Sequence, residues 1–316
     1  MTPFGFSLTP FVVAAGAGAL ALFCAQERRR EAHDREPLVH LRLRSVAPLR
    51  SGLAMFLFQN LILMGVFFSI PLYLQIVQGF NAFETGVRML PVSIALFVTA
   101  LVGSRLSGRF PPRAIVRTGV VLLVAATVLL LATIQPQIDD TPFAIAMAIF
   151  GVAMGLIVSQ LGNVVQSAVG EDDRGEAGGL QYTAQQVGAS LGTALIGAIV
   201  ITGLATSFSA QVEANPKISA SVQQRVGVRV ESGVSFVSTQ QVRAAAEDAH
   251  LDAATTNALV DHYADAQLQA LKLGLLVATL LACCAFFATR NLPARAPPRP
   301  EPAERGEPDF AGDFAH

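Results

Sequence analysis

Long apolar runs, each near the length needed to cross a bilayer, alternate along this chain with polar breaks. A hydrocarbon core of about 30 Å takes roughly 20 helical residues. Seven runs reach that length, at about 4 to 25, 50 to 76, 87 to 107, 114 to 134, 143 to 167, 179 to 203 and 269 to 289. They predict an all-α integral membrane protein with about seven transmembrane helices. The chain then divides into a first helix with a basic loop (1–49), five further helices (50–203), a polar segment (204–268), a last helix (269–290) and a tail (291–316). In the polar segment, Val226, Val228 and Val230 alternate, Glu231 to Gly233 reads as a turn, and Val234 and Phe236 alternate again, which predicts a small β-hairpin. Ser238 or Thr239 then caps a helix through Ala249, and a second helix from about Asp252 runs into the last span. The tail, dense in proline and charge, is expected to be disordered.

Composition agrees with the pattern. Of 316 residues, 52% are hydrophobic and only 14% charged, where a soluble domain carries about a quarter charged. The net charge of −1 says nothing about partners, but its distribution does. Arg28, Arg29, Arg30, Arg35, Arg42, Arg44 and Arg50 lie between the first two spans. Arg105, Arg109, Arg113 and Arg117 lie between the third and fourth, while the alternate loops near 77–86 and 135–142 contain no arginine. The positive-inside rule puts the arginine-rich breaks in the cytoplasm, with the 204–268 segment outside and the C-terminus inside. "GSRLSGRFPPR", from Gly103 to Arg113, is then a tight cytoplasmic turn. Seven spans leave the N-terminus outside, either because the short leading tail is translocated or because a preceding part of the chain is lacking. The first run carries its basic cluster after the apolar stretch, unlike a cleavable signal peptide.

Side-chain chemistry inside the spans is sparse. Cys24, Cys283 and Cys284 lie in apolar runs without metal-ligand spacing, and none of the five histidines falls within a span. No paired carboxylates, metal cluster or nucleophile with a base appears, so neither an enzyme nor a cofactor is expected. Amides do appear: Gln59, Asn60 and Gln75 in the second span, Gln160, Asn163 and Gln166 in the fifth, and Gln181, Gln185 and Gln186 in the sixth. Gln160, Asn163 and Ser167 share one helix stripe, as do Gln181, Gln185, Gly188 and Gly192. Such stripes should face protein or a wet cavity, leaving two readings open: a ligand-binding face, or hydrogen bonding between helices. Gly151 with Gly155, and Gly188 with Gly192, are small-xxx-small pairs suited to close helix packing. Thr141 and Pro142 read as N-cap and first residue of the fifth span, and Pro71 loosens the outer third of the second. Phe67 and Phe68 face either a ligand or lipid.

Several of these stretches resemble the major facilitator superfamily, in particular its fourteen-span drug:proton antiporters. "EPLVHLRLRSVAPL" looks like the approach to the family's ninth span and "IPLYLQIVQGFNAFETGVRMLP" (Ile70 to Pro91) like its signature between the ninth and tenth. "SRLSGRFPPR" is similar to the basic loop after the tenth, and "GEAGGLQYTAQQVGASLGTALIG" to the thirteenth. In the basic loop Arg109 and Arg113 match, whereas Ser104, Gly108 and Pro111 stand where the family has glycine, aspartate and glycine.

The resemblance implies one linker helix followed by the C-terminal six-helix bundle of a facilitator fold, in the cell (plasma) membrane. In such bundles the first and fourth helices line the cavity, the second and fifth face the other half, and the third and sixth face lipid. It implies multidrug efflux by proton antiport, with a small amphipathic substrate contacted in this half by Gln59, Asn60, Gln75, Gln160 and Asn163, and Gln185 as an interface alternative. Proton coupling in membranes relies on intramembrane Asp, Glu or His, and no span interior here contains one. The proton site is therefore expected in an absent N-terminal half. The alternative is a non-transporting scaffold or regulatory half that pairs with another membrane protein.

Overall fold

The computed structural model describes residues 9–32, 43, 45–215 and 236–293, and every regular element among them is helical. Helix α1 runs Thr9–Ala32, α2 Ala47–Leu72, α3 Ala82–Leu106, α4 Pro112–Thr133, α5 Asp140–Ser167, α6 Arg174–Ala214, α7 Thr239–Asp248 and α8 Ala253–Ala288. Six of these are long and apolar enough to cross a membrane: α2 with the turn that follows it, α3, α4, α5, α6 and α8. They coincide with six of the seven apolar runs. The first run, 4 to 25, begins outside the described residues; its described part belongs to α1, whose described side chains are exposed except for Glu27. The expected hairpin, apart from its last residue Phe236, and nearly all of the tail also lie outside the described residues.

Local chemistry sets the helix ends. Asn81 and Glu84 form a reciprocal capping box at the start of α3: the Asn81 side chain accepts from Glu84 N–H at 2.9 Å and the Glu84 carboxylate from Asn81 N–H at 3.0 Å. Pro112 occupies the first turn of α4, where a missing N–H loses nothing. The expectation for α5 is corrected. Asp139, not Thr141, is the N-cap, and its carboxylate accepts from the Thr141 N–H at 3.1 Å, so Thr141 and Pro142 lie inside the first turn. Ser238 caps α7 and Asp252 caps α8, each accepting from the third helical N–H.

Helix α5 is a central member of the bundle, packed against α3, α4 and α2, while α8 closes against α6, α2 and α4. The core runs through Ile62, Val66 and Ile70 of α2, Val120 and Leu123 of α4, Met147, Phe150 and Met154 of α5, and Leu271 and Leu275 of α8. Lipid is as apolar as these side chains, so association rests on close packing and interhelical hydrogen bonds.

Helices α6 and α8 continue beyond the apolar runs, α6 to Ala214 and α8 from Ala253. Their polar extensions hold each other. Phe208 meets Tyr263 edge-on with ring centroids 5.3 Å apart. His262 lies between Asn215, at 2.8 Å from Nε2, and Gln211, at 3.2 Å from Nδ1. The Tyr263 hydroxyl accepts from Val237 N–H and Gln267 donates to the Val237 carbonyl, tying the approach to α7 onto α8. A helix satisfies its own backbone hydrogen bonds in water as in lipid, so the apolar boundaries near 203 and 269 do not end either helix.

Candidate functional site

Helix α2 carries an uncovered, mainly apolar stripe that includes an amide, whereas Thr183, Gln186, Ser190 and Thr193 make an exposed polar face on α6. Leu53, Leu57, Asn60, Met64, Phe67 and Pro71 recur at three- and four-residue steps and so share one stripe, and Gln75 lies beyond it in the wider turn that follows α2. Every member is partly or fully exposed, while Met55, Ile62, Val66 and Ile70 on the other side are buried. Asn60 donates to the Phe56 carbonyl at 3.0 Å within its own helix, leaving its oxygen free. Gln59 sits off the stripe, 5% exposed, and its Oε1 has no hydrogen-bond partner. Phe68 packs toward Gly197 of α6.

Near the basic turn Gln160 does something different. It is 1% exposed. Its Nε2 donates to the Gly103 carbonyl at 2.8 Å and to Ser159 Oγ at 3.1 Å, and its Oε1 accepts from Ser107 Oγ at 2.9 Å. Gly103 lies in the last turn of α3, whose carbonyls lack helical donors. Gln160 therefore caps α3 from a neighbouring helix and fastens the start of the basic turn. Asn163, one turn later, is exposed, so the structure separates these two amides. Gln185 is half-buried, on the side of α6 that carries Gly188 and Gly192.

Those glycines belong to two ladders. A methyl group on Gly188 or Gly192 would collide with the carbonyl oxygens of Leu57 and Leu61 on α2, and a methyl on Gly65, one rung further, would stand 2.6 Å from Ile196. On the other side, Gly151 abuts the Val92 carbonyl, Gly155 would set a methyl 2.7 Å from the Leu96 carbonyl, and Gly103 abuts Ser159. Each ladder thus has three rungs, joining α2 to α6 at four-residue steps on both helices and α5 to α3 at four-residue steps on α5, with Gly103 seven residues beyond Leu96 on α3.

A clasp spans the far end of the bundle. After Pro71, which cannot donate to the preceding turn, the backbone of Tyr73–Val77 widens into a π-turn. The Tyr73 hydroxyl donates to the Gln135 carbonyl at 2.8 Å, and Gln78 Nε2 reaches both Tyr73 Oη and the Gln135 carbonyl at 2.9 Å. Nearby, Arg88 pairs with Asp140 through two bonds of 2.9 and 3.2 Å and stacks 3.7 Å above the Phe80 ring. Tyr73, Gln78, Phe80 and Arg88 all fall in the stretch Ile70 to Pro91 quoted above, but nothing in their spacing shows the contacts with Gln135 and Asp140.

Exposed amides beside Phe67 suit an uncharged or cationic amphipathic molecule held by hydrogen bonds and ring contact. Among the described residues no group of three or more His, Cys, Asp or Glu is positioned for a metal ion. A separate, open, mainly apolar groove of about 440 Å³ lies between α6 and α8, lined by Ala198, Thr202, Gly203, Thr206 and Leu273 among others, away from the α2 stripe.

The profile of the Major Facilitator Superfamily matches residues 2–193. The chain is 30% identical over 179 residues to the tetracenomycin C resistance and export protein of Streptomyces glaucescens, covering 57% of this chain and 33% of that one. It is 29% identical over 203 residues to a probable actinorhodin transporter of Streptomyces coelicolor, covering 63% and 35%. To a multidrug efflux pump of Mycolicibacterium smegmatis it is 25% identical over 252 residues, covering 79% and 45%. The matched part is thus a third to a half of each of these relatives.

Proposed function

This chain belongs to the Major Facilitator Superfamily, and we propose on that premise that it supplies the C-terminal bundle of an exporter of small amphipathic molecules, driven by proton antiport. The observation that carries this reading is the α2 stripe and the turn beyond it, where Asn60, Phe67 and Gln75 stay uncovered by their own bundle. The printed names of the relatives, which describe resistance to and export of antibiotics, support the same substrate class. In this reading α2 and α5 line a cavity shared with a counterpart bundle, with Asn60, Gln75 and Asn163 offering hydrogen bonds and Gln59 a buried acceptor. Gln185 borders the counterpart, and Gln160 positions α3 rather than the ligand. The protein is a multi-pass protein of the plasma membrane with its C-terminus in the cytoplasm.

Proton coupling comes from carboxylates on the counterpart, since the apolar cores of the six spans contain none. That same lack favours a second reading, a half that pairs without transporting. One experiment separates them: substrate efflux from cells of the native host in which Asn60 and Gln75 are both replaced by alanine. A rise of roughly tenfold in the concentration for half-maximal export, as expected from losing two hydrogen bonds, supports the exporter. Unchanged export with both residues gone would overturn it.

A further inference from the structure

The arginine-rich end of α4 and α8 holds positive charge that the bundle does not neutralise. Arg113 and Arg117 are one turn apart at the start of α4 and lie on the same face. Arg117 Nε donates to Thr289 Oγ1 at 3.1 Å, and its guanidinium lies 5.5 Å from the centre of the Phe286 ring. Thr289 is fully buried and donates in turn to the Phe286 carbonyl at 2.7 Å, so the anchor is fixed. Arg290 follows it in the chain and is exposed. Arg113 Nε is buried and has no hydrogen-bond partner. Among the described residues no carboxylate pairs with any of the three arginines; the ion pairs join Arg88 to Asp140 and Arg174 to Glu171.

With its Nε enclosed and unpartnered, the Arg113 guanidinium is poorly compensated by the bundle, and an anion at its terminal nitrogens would offset that cost. Two neighbouring features point the same way. The positive end of the α4 dipole is here, with no capping side chain and no acidic residue in the first turn. Phe286, beside the Arg117 guanidinium, is 40% exposed, and Phe287, next in the chain, is 69% exposed. Fixed positive charge against bare aromatic rings matches the boundary between lipid headgroups and acyl chains.

We propose that Arg113, Arg117 and Arg290 form a phosphate-binding site at the α4–α8 edge, occupied by the phosphodiester of an anionic membrane lipid whose acyl chain lies along Phe286 and Phe287. Arg117, engaged through Nε, keeps both terminal nitrogens for the phosphate, and the planar guanidinium suits two-point contact. The proposal rests on these helices spanning a membrane and not on what the protein transports, so it can fail while the export reading stands.

The test is lipid selectivity of the full chain in phosphatidylcholine bilayers containing traces of spin-labelled phosphatidylglycerol or phosphatidylcholine. The unaltered chain should favour phosphatidylglycerol about fivefold or more, and R113Q/R290Q should lose most of that preference. R105Q removes the same charge at the α3 end of the turn, away from α8, and should leave the preference intact. R113K/R290K, which keeps charge and fold but not the planar fork, should fall between. Equal selectivity in the unaltered chain and R113Q/R290Q, or an equal loss in R105Q, would overturn the site. Displacement of the labelled lipid by excess inorganic phosphate would overturn lipid as its occupant, whereas resistance to displacement supports it.

Discussion

A glutamine side chain has two N–H donors and an acceptor oxygen to place, and inside a membrane the alternatives to protein partners are poor. Gln160 places both donors and its oxygen on Gly103, Ser159 and Ser107. Gln160→Leu leaves the Gly103 carbonyl and the Ser107 hydroxyl without their partner, and about 1–3 kcal/mol of stability should go with it. A clear drop in thermal unfolding midpoint in detergent checks this, whereas Asn163→Leu at the exposed site should shift the midpoint little. The sequence shows that Gln160 and Asn163 share a stripe, since helical spacing is local. It does not show that one is inserted between α3 and α5, because that depends on a packing partner about fifty-seven residues away. A second residue-scale expectation concerns Asp252, whose carboxyl is held below its ordinary value by hydrogen bonds from the Thr255 side chain and N–H. A lowered carboxyl pKa adds stability that is present above the ordinary carboxylate pKa and is lost as pH falls through the depressed one. Protection factors of the amides in the first turn of α8, corrected for the intrinsic slowing of exchange in acid, should therefore fall on acidification below that range, and Asp252→Ala should remove this fall.

Between elements, contact is decided by how near two backbones can come. The α2–α6 and α3–α5 ladders each stack three rungs, yet glycine is not confined to one helix: Gly188 and Gly192 on α6 give way to Gly65 on α2, and Gly151 and Gly155 on α5 to Gly103 on α3. The Gly-xxx-Gly pairs were legible because both members lie on one helix, and the third rungs were not because the small residue switches to the partner. Gly192→Val and Gly155→Val each press a branched side chain into a neighbouring carbonyl, an overpacking that costs about 1–3 kcal/mol. Gly162→Ala, which meets nothing within 4 Å, should be neutral or slightly stabilising through helix propensity. Melting the three variants side by side in the same detergent distinguishes steric closeness from a general effect of removing glycine. The apolar runs announced six of these helices because crossing a bilayer is a matter of length and composition. The extensions of α6 and α8 were hidden, since their polar residues read as a loop until Phe208 and Tyr263 are seen packed together.

For the molecule as a whole, the fastenings sit at opposite ends of the bundle. Gln160 ties α5 to α3 at one end; Tyr73, Gln78 and the Arg88–Asp140 pair join α2 and α3 to the α4–α5 connection at the other. A bundle tied at both ends moves as one body, which is how alternating access proceeds when one bundle rocks against another. If the chain is one half of an exporter, as proposed, its working surface is what the fastenings leave open, and the α2 stripe then yields a prediction about water. With the native cysteines replaced, single cysteines at Asn60, Gln75, Asn163 and Gln160 are exposed to a membrane-impermeant maleimide in membranes of the native host. Positions 60, 75 and 163 should react at least about tenfold faster than position 160, because thiolate attack needs solvent access and Gln160 is enclosed. Protection at 60 and 75 equal to that at 160 would mean that the stripe faces lipid or a dry contact, and the shared cavity would have to be abandoned. Selective protection of 60 and 75 by an added amphipathic cation, with 163 unaffected, would narrow the binding face to α2.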